Sequence, residues 1–174
     1  MTTEELIGRL RENGEHETYP PASMEAVEQT EVALGVKLPR SFRTFVTEYS
    51  NGAYLFSLQE VSAVGDGNPQ VAPIQANLGG GFPAEAGVEL PVAGSSPVMS
   101  DSVVPFSLDS NGNCWCFLSD RRSGDNEYEV AYCDTQQARL VGRLPSFDAW
   151  LELLIRDQDE VIRVLGFADQ LGLG

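Results

Sequence analysis

The chain has 174 residues, with 26 acidic side chains against 11 basic ones, a formal charge of −15 and a pI near 4.2. A chain of this length most simply makes one domain, residues 1–174, and buries about two-thirds of its unfolded surface without a metal or disulfide staple. Its negative field repels nucleic acid and anionic membranes, so the expected macromolecular partner is a basic protein.

Three cysteines do not make the paired framework of a small secreted domain. The opening "MTTEELIGRL" carries acids where a signal peptide carries positive charge, and no run approaches the roughly 20 apolar residues of a membrane span. A soluble, cytoplasmic protein is expected.

Thr2 and Glu5 have capping-box spacing, and Leu6, Ile7 and Leu10 then share one side of a short helix stopped by Gly14. The polar segment "ENGEHETYPP" leads to a second helix from near Ser23, with Val27, Glu31 and Leu34 in line and Gly35 as its stop. Glu31 therefore lies beside an apolar stripe. Pro39 suits the first turn of a third helix, where Phe42, Phe45, Val46 and Tyr49 make an aromatic face opposite Arg40, Arg43, Thr44 and Thr47. Asn51-Gly52 ends that helix in a left-handed turn.

"AYLFSL" (Ala53 to Leu58) is the first predicted strand. From Gly65 to Ser100 the composition turns to Gly, Pro, Asn and Ala without periodicity, which fits either a functional loop region or an insertion with short irregular strands. Pro105 in "DSVVPFSLD" marks an edge or bulged strand. Cys114 to Ser119 and Tyr128 to Asp134 are the strongest strand signals, joined by the polar loop "DRRSGDNE", and "ARLVGRL" adds another. After the N-cap Ser146, Phe147, Trp150, Leu151 and Leu154 form a last apolar helix stripe, with a restart at Asp157 and Glu160 towards Val161, Ile162 and Leu165 and a tail over 166–174. Helices at both ends and strands between them predict an α+β fold, with the N-terminal and C-terminal helices packed against a mainly antiparallel sheet.

Chemistry-bearing motifs are few. Cys114 and Cys116 alternate onto one face of their strand, and if the hairpin register pairs residue numbers summing to 247, Cys133 faces Cys114. Three thiols fall short of the four ligands of structural zinc, and the sole histidine, His16, lies far away in an acidic linker, so buried reduced thiols are expected ahead of a metal or redox centre. "DSNGN" (Asp109 to Asn113) has its glycine fourth rather than sixth and Asp120 at position twelve, which fits a tight turn better than a calcium loop. "NLGGGFP" lacks the Lys-Ser/Thr and the strand-to-helix switch of a phosphate cradle.

The segment "EVALGVKLPRSFRTFVTEYSNG" resembles the opening signature of the SUKH superfamily, named for the yeast cell-wall-synthesis regulator and its bacterial relatives. Glu31, Leu34, Gly35, Leu38, Pro39, Phe42, Phe45, Asn51 and Gly52 fall on that signature in order. "VVPFSLDSNGNCWCFLSD" is similar to the family's Pro-Phe strand, turn and aromatic strand, "EVAYCD" to the next strand, and "LPSFDAWLELLI" to the closing helix. The match runs from Glu31 to Ile155 and is weakest over 65–100.

The resemblance implies an α+β domain without catalytic machinery or cofactor. In bacteria such a domain often serves as an immunity protein that binds and blocks a cognate toxin, frequently a nuclease. A nuclease presents Arg and Lys to phosphates, so acids here can compete for those groups. The candidate partner-binding acids are Asp109, Asp120, Asp125, Glu127, Glu129 and Asp134 by the sheet's loops, with Glu48 and Glu60 from the first half. The competing readings are a regulatory scaffold like the eukaryotic members, and a metal or redox protein built on Cys114, Cys116 and Cys133.

Overall fold

The computed structural model describes residues 1–13, 15–56, 59–78, 84–109 and 112–156. The expected helix stop at Gly14, the glycines of "NLGGGFP", the helix restart after Asp157 and the tail over 166–174 lie outside the described residues.

Helix α1 (Thr3–Asn13) opens on the expected capping box: Thr2 Oγ1 accepts the Glu5 N–H at 3.2 Å, and the Glu5 carboxylate accepts the Thr2 N–H at 2.7 Å. Helix α2 (Met24–Leu34) is capped by Ser23, whose Oγ accepts the Ala26 N–H. It stops at Gly35, whose φ of +74° lets its N–H reach the Glu31 carbonyl.

Helix α3 (Arg40–Thr44) departs from the single regular helix the sequence predicts, because its continuation Phe45–Tyr49 widens into a π-helical turn closed by Ser50 N–H on the Phe45 carbonyl. Ser50 Oγ then accepts the Tyr19 N–H at 2.8 Å and ties the segment before α2 to the end of this turn.

Strands β1 (Glu17–Thr18), β2 (Ala53–Leu55) and β3 (Gln59–Val61) make a small antiparallel sheet in that order. β1 lies inside the segment that the sequence reading treats as a linker. His16 holds it in place: its Nδ1 accepts the Phe56 N–H at 3.0 Å and its ring meets Phe56 edge-on at 4.5 Å. Burial pulls the imidazole below its ordinary value, which favours the neutral form that can accept this bond.

The larger sheet contains β4 (Glu89–Val92), β5 (Ser95–Met99), β6 (Val103–Leu108), β7 (Cys114–Gly124), β8 (Glu127–Asp134) and β9 (Arg139–Leu144), in the order β5-β4-β9-β8-β7-β6. Helix α4 (Phe147–Arg156) closes the described chain. The α+β class holds, with one parallel contact, Val92 beside Leu140, in an otherwise antiparallel sheet. That contact joins the β4–β5 hairpin, which lies in the Gly/Pro-rich region, so short irregular strands rather than a loop occupy its second half.

β6 is an edge strand, and its register shifts between Pro105 and Ser107, the two features that Pro105 signals. Cys114 pairs with Cys133 and Trp115 with Tyr132, the register whose residue numbers sum to 247. The loop predicted over Asp120 to Glu127 is instead largely strand: β7 runs on to Gly124, absorbing its polar residues through register shifts after Leu118 and Arg122.

Alternation along β7 sends Trp115 and Phe117 to the helical side and Cys114, Cys116 and Leu118 to the other, and both sides are buried. On the helical side Phe106 stacks on Phe117 at 4.3 Å, and meets Phe147 edge-on at 5.5 Å and Trp150 at 5.1 Å, while Phe42 lies 5.4 Å from Phe117 and 5.3 Å from Phe147. This cluster joins α3, β6, β7 and α4.

Glu31, beside the stripe of α2, is a buried carboxylate that accepts the Leu38 N–H at 2.7 Å and lies 3.8 Å from Lys37 Nζ. It fixes the turn that aims α3 at the core. Among the described residues no helix is long and apolar enough to cross a membrane.

Truncating Phe106 to alanine is expected to cost about 3–5 kcal/mol by leaving a cavity, and Glu31→Ala about 1.5–3 kcal/mol by stranding a buried N–H that a charged acceptor now holds. Urea unfolding measures both, and a loss under about 1 kcal/mol in either variant contradicts its assigned role.

Candidate partner-binding surface

The eight predicted acids do not gather on one face. Asp109 and Asp134 stand at one end of the larger sheet, at the ends of β6 and β8, whereas Asp120, Asp125, Glu127 and Glu129 lie towards the β7–β8 turn. Glu48 belongs to the π turn after α3, and Glu60 to the small sheet.

Four of these acids have intramolecular partners. Asp109 accepts the Tyr132 hydroxyl at 2.5 Å and the Asn113 N–H at 3.0 Å, bracing the β6–β7 turn. Residues 110 and 111 of that turn lie outside the described residues. Glu127 accepts both the N–H and the hydroxyl of Ser41, so it caps α3 from the start of β8. Glu129 pairs with Arg143 at 2.5 Å. Asp134 pairs with Arg139 at 3.5 Å and accepts the Gln136 and Gln137 N–H groups of the turn that follows.

Asp120, Asp125 and Glu48 are exposed. The carbonyl of Glu48 accepts Arg11 Nη2 at 2.9 Å, and that guanidinium lies 5.9 Å from the Tyr49 ring centroid. Glu60 is half-buried, and burial raises its carboxyl above the ordinary value.

Strand register places Glu60 beside Tyr54 and Tyr54 beside Glu17, one row across the small sheet. Glu17, Tyr19 and Tyr54 are absent from the sequence-based candidates. The available signal was a pair of tyrosines spaced among glutamates, but β1 is two residues long and too short for periodicity to mark.

The cations are unevenly placed. The Arg40 N–H donates to the Asn126 carbonyl at 2.8 Å, the Tyr128 hydroxyl donates to the Lys37 carbonyl at 2.8 Å, and Arg122 faces Tyr128 across the hairpin. Burial raises the Tyr128 phenol while Arg122 and Arg43 pull it down, so Lys37, Arg40, Arg43 and Arg122 share this neighbourhood. The exposed acids of the β7–β8 turn therefore sit beside positive charge.

The three cysteines are free and fully buried among Leu90, Val92, Val98, Val103, Leu118, Ala131 and Leu140. The sheet curls enough for Arg121 of β7 to bond Ser95 and Ser96 of β5, which brings the β4–β5 hairpin over the thiols. Cys114 Sγ lies 3.3 Å from Cys116 Sγ. Burial pushes the Cys116 thiol well up, as does donating its S–H towards the sulfurs of Cys114 and Cys133. Cys114 and Cys116 donating to Cys133 bring it down to about 5, making it the acceptor of the trio. Among the described residues no group of three or more His, Cys, Asp or Glu side chains is placed to hold a metal ion.

Residues 21–153 match the SMI1 / KNR4 family (SUKH-1). Among curated proteins none matches the chain.

Because the thiols are sealed under the hairpin, iodoacetamide is expected to leave the native protein unlabelled and to modify all three cysteines once it is unfolded, as read by intact mass. Rapid stoichiometric labelling of the folded chain contradicts the packing role and reopens the redox one.

Proposed function

The chain belongs to the SMI1 / KNR4 (SUKH-1) family, and from that premise we propose that it is a non-catalytic immunity protein, which binds a cognate toxin in the cytoplasm and neutralises it through its acidic surface. The observation that carries this reading is the formal charge of −15 on a fold of this family. A toxin that cleaves nucleic acid must present arginine and lysine to phosphates. A strongly acidic partner competes for those groups, and its field speeds the encounter before any contact forms.

The carboxylates divide by what they already do. Glu31, Asp109, Glu127, Glu129 and Asp134 hold turns, a helix terminus and strand pairs. Their negative charge adds to the long-range field, but a partner that pulled on them would compete with the fold. Glu48, Glu60, Asp120 and Asp125 have no such duty among the described contacts, Glu17 bonds only the Tyr19 phenol, and all five are among the acids open to a partner.

The test is affinity capture with the tagged chain from its native source, followed by nuclease assays on each basic protein recovered. A toxic nuclease is expected among them, and one equivalent of the chain should abolish its activity. Recovery of non-toxin partners only, or of a nuclease left fully active by the chain, contradicts the proposal.

A further inference from the structure

The outer face of the small sheet carries a row of partly exposed side chains, one of which, Tyr54, donates its hydroxyl to the Gln70 carbonyl at 3.2 Å. Ala53, Leu55 and Val61 are fully buried on its inner face, so the alternating positions Tyr54 and Glu60 turn away from the core. Glu17 pairs with Tyr54, and Tyr54 with Glu60. Adjacent strands lie about 4.8 Å apart, so the backbones bearing the two glutamates stand about 10 Å apart with the tyrosine between them.

Tyr19 belongs to the same patch. Burial first, then Glu17, Tyr54 and Glu60, raises its phenol above the ordinary value. Burial, then Glu60 and Glu17, does the same to Tyr54. Both phenols therefore sit in the field of both carboxylates.

Neither glutamate forms an ion pair among the described residues, in contrast to Glu129 and Asp134 of the larger sheet. Glu60 is also partly desolvated without a countercharge, a cost that a bound cation offsets. Lys37, Arg40, Arg43 and Arg122 gather elsewhere, beside the β7–β8 turn, where they repel a basic partner.

We infer that this face docks an arginine-bearing segment of a basic protein partner, with one guanidinium against Tyr54 between the carboxylates of Glu17 and Glu60. Arginine suits the site better than lysine because its planar fork meets carboxylates in a bidentate manner and stacks on an aromatic ring. Tyrosine and arginine are also among the residues that concentrate binding energy at interfaces. The inference rests on the proposed binding of a basic toxin and names the surface that does it.

The test is an NMR titration of the isotope-labelled chain with a short arginine-rich peptide. The first and largest shifts are expected at Glu17, Tyr19, Tyr54 and Glu60. Glu60→Gln and Tyr54→Leu should each weaken binding about three- to thirty-fold, while Tyr54→Phe, which keeps the ring, should bind like the native chain. The pair Asp120→Asn with Asp125→Asn, an equal or larger loss of charge elsewhere, should change affinity less than two-fold, in line with exposed charges.

Shifts centred on the β7–β8 turn or spread evenly over the surface overturn the inference, as does equal weakening by the Asp120 and Asp125 pair. Glu60→Gln is nearly isosteric and keeps the test decisive if Tyr54→Leu does not fold. A captured toxin that the Glu17→Gln, Glu60→Gln chain neutralises as well as the native one overturns this surface and leaves the immunity reading standing. Localised peptide binding without any captured toxin supports the surface and removes that reading.

Discussion

The stacking of Phe106 on Phe117, closed by Phe42, Phe147 and Trp150, is the contact that ties α3 and α4 to the larger sheet. The five rings come from four parts of the sequence: α3, the edge strand β6, the long strand β7 and, with two of them, α4. Offset and edge-on aromatic pairs add directional preference to the burial energy, so the cluster fixes the relative placement of these elements as well as their proximity. The polar contacts around it refine that placement. Glu31 holds the turn into α3, Glu127 caps the same helix from the far side, and Thr3 donates to Asp148 to tie α1 to α4.

A chain of charge −15 faces self-repulsion on folding, and the structure relieves part of it by giving carboxylates local work. Asp109 takes a tyrosine hydroxyl, Glu127 a helix terminus, and Glu129 and Asp134 an arginine each. The small sheet, with its row of glutamate, tyrosine and glutamate, has no lysine or arginine in its three strands.

Features governed by near neighbours were legible in the sequence. The capping box of Thr2 and Glu5, the stop at Gly35 and the edge strand and bulge at Pro105 follow from local residue types and spacing, whereas the pairing of Cys114 with Cys133 also needs the register shifts after Leu118 and Arg122. Features that depend on distant partners were not. Glu127 reads as a surface acid until Ser41, 86 positions earlier, is placed against it. The β4–β5 hairpin hides behind Pro91, Gly94 and Pro97, which signal loop more strongly than its short runs signal strand. β1 exists only because β2 is there to pair with it. The same logic explains the candidate site: charge identified acids as a class, but which acids are free is decided by tertiary contacts that composition does not encode.

A net charge of −15 acts chiefly on encounter, since long-range steering raises association rates while short-range packing sets dissociation. The central claim is that an acidic field brings a basic partner to this fold. Its most direct test is the association rate of the captured basic partner, measured by stopped flow as salt is raised from about 0.01 M to 1 M, over which the Debye length shrinks from about 30 Å to 3 Å. A fall of at least about ten-fold, with dissociation changing far less, is the expected result. An association rate indifferent to salt would contradict electrostatic recruitment.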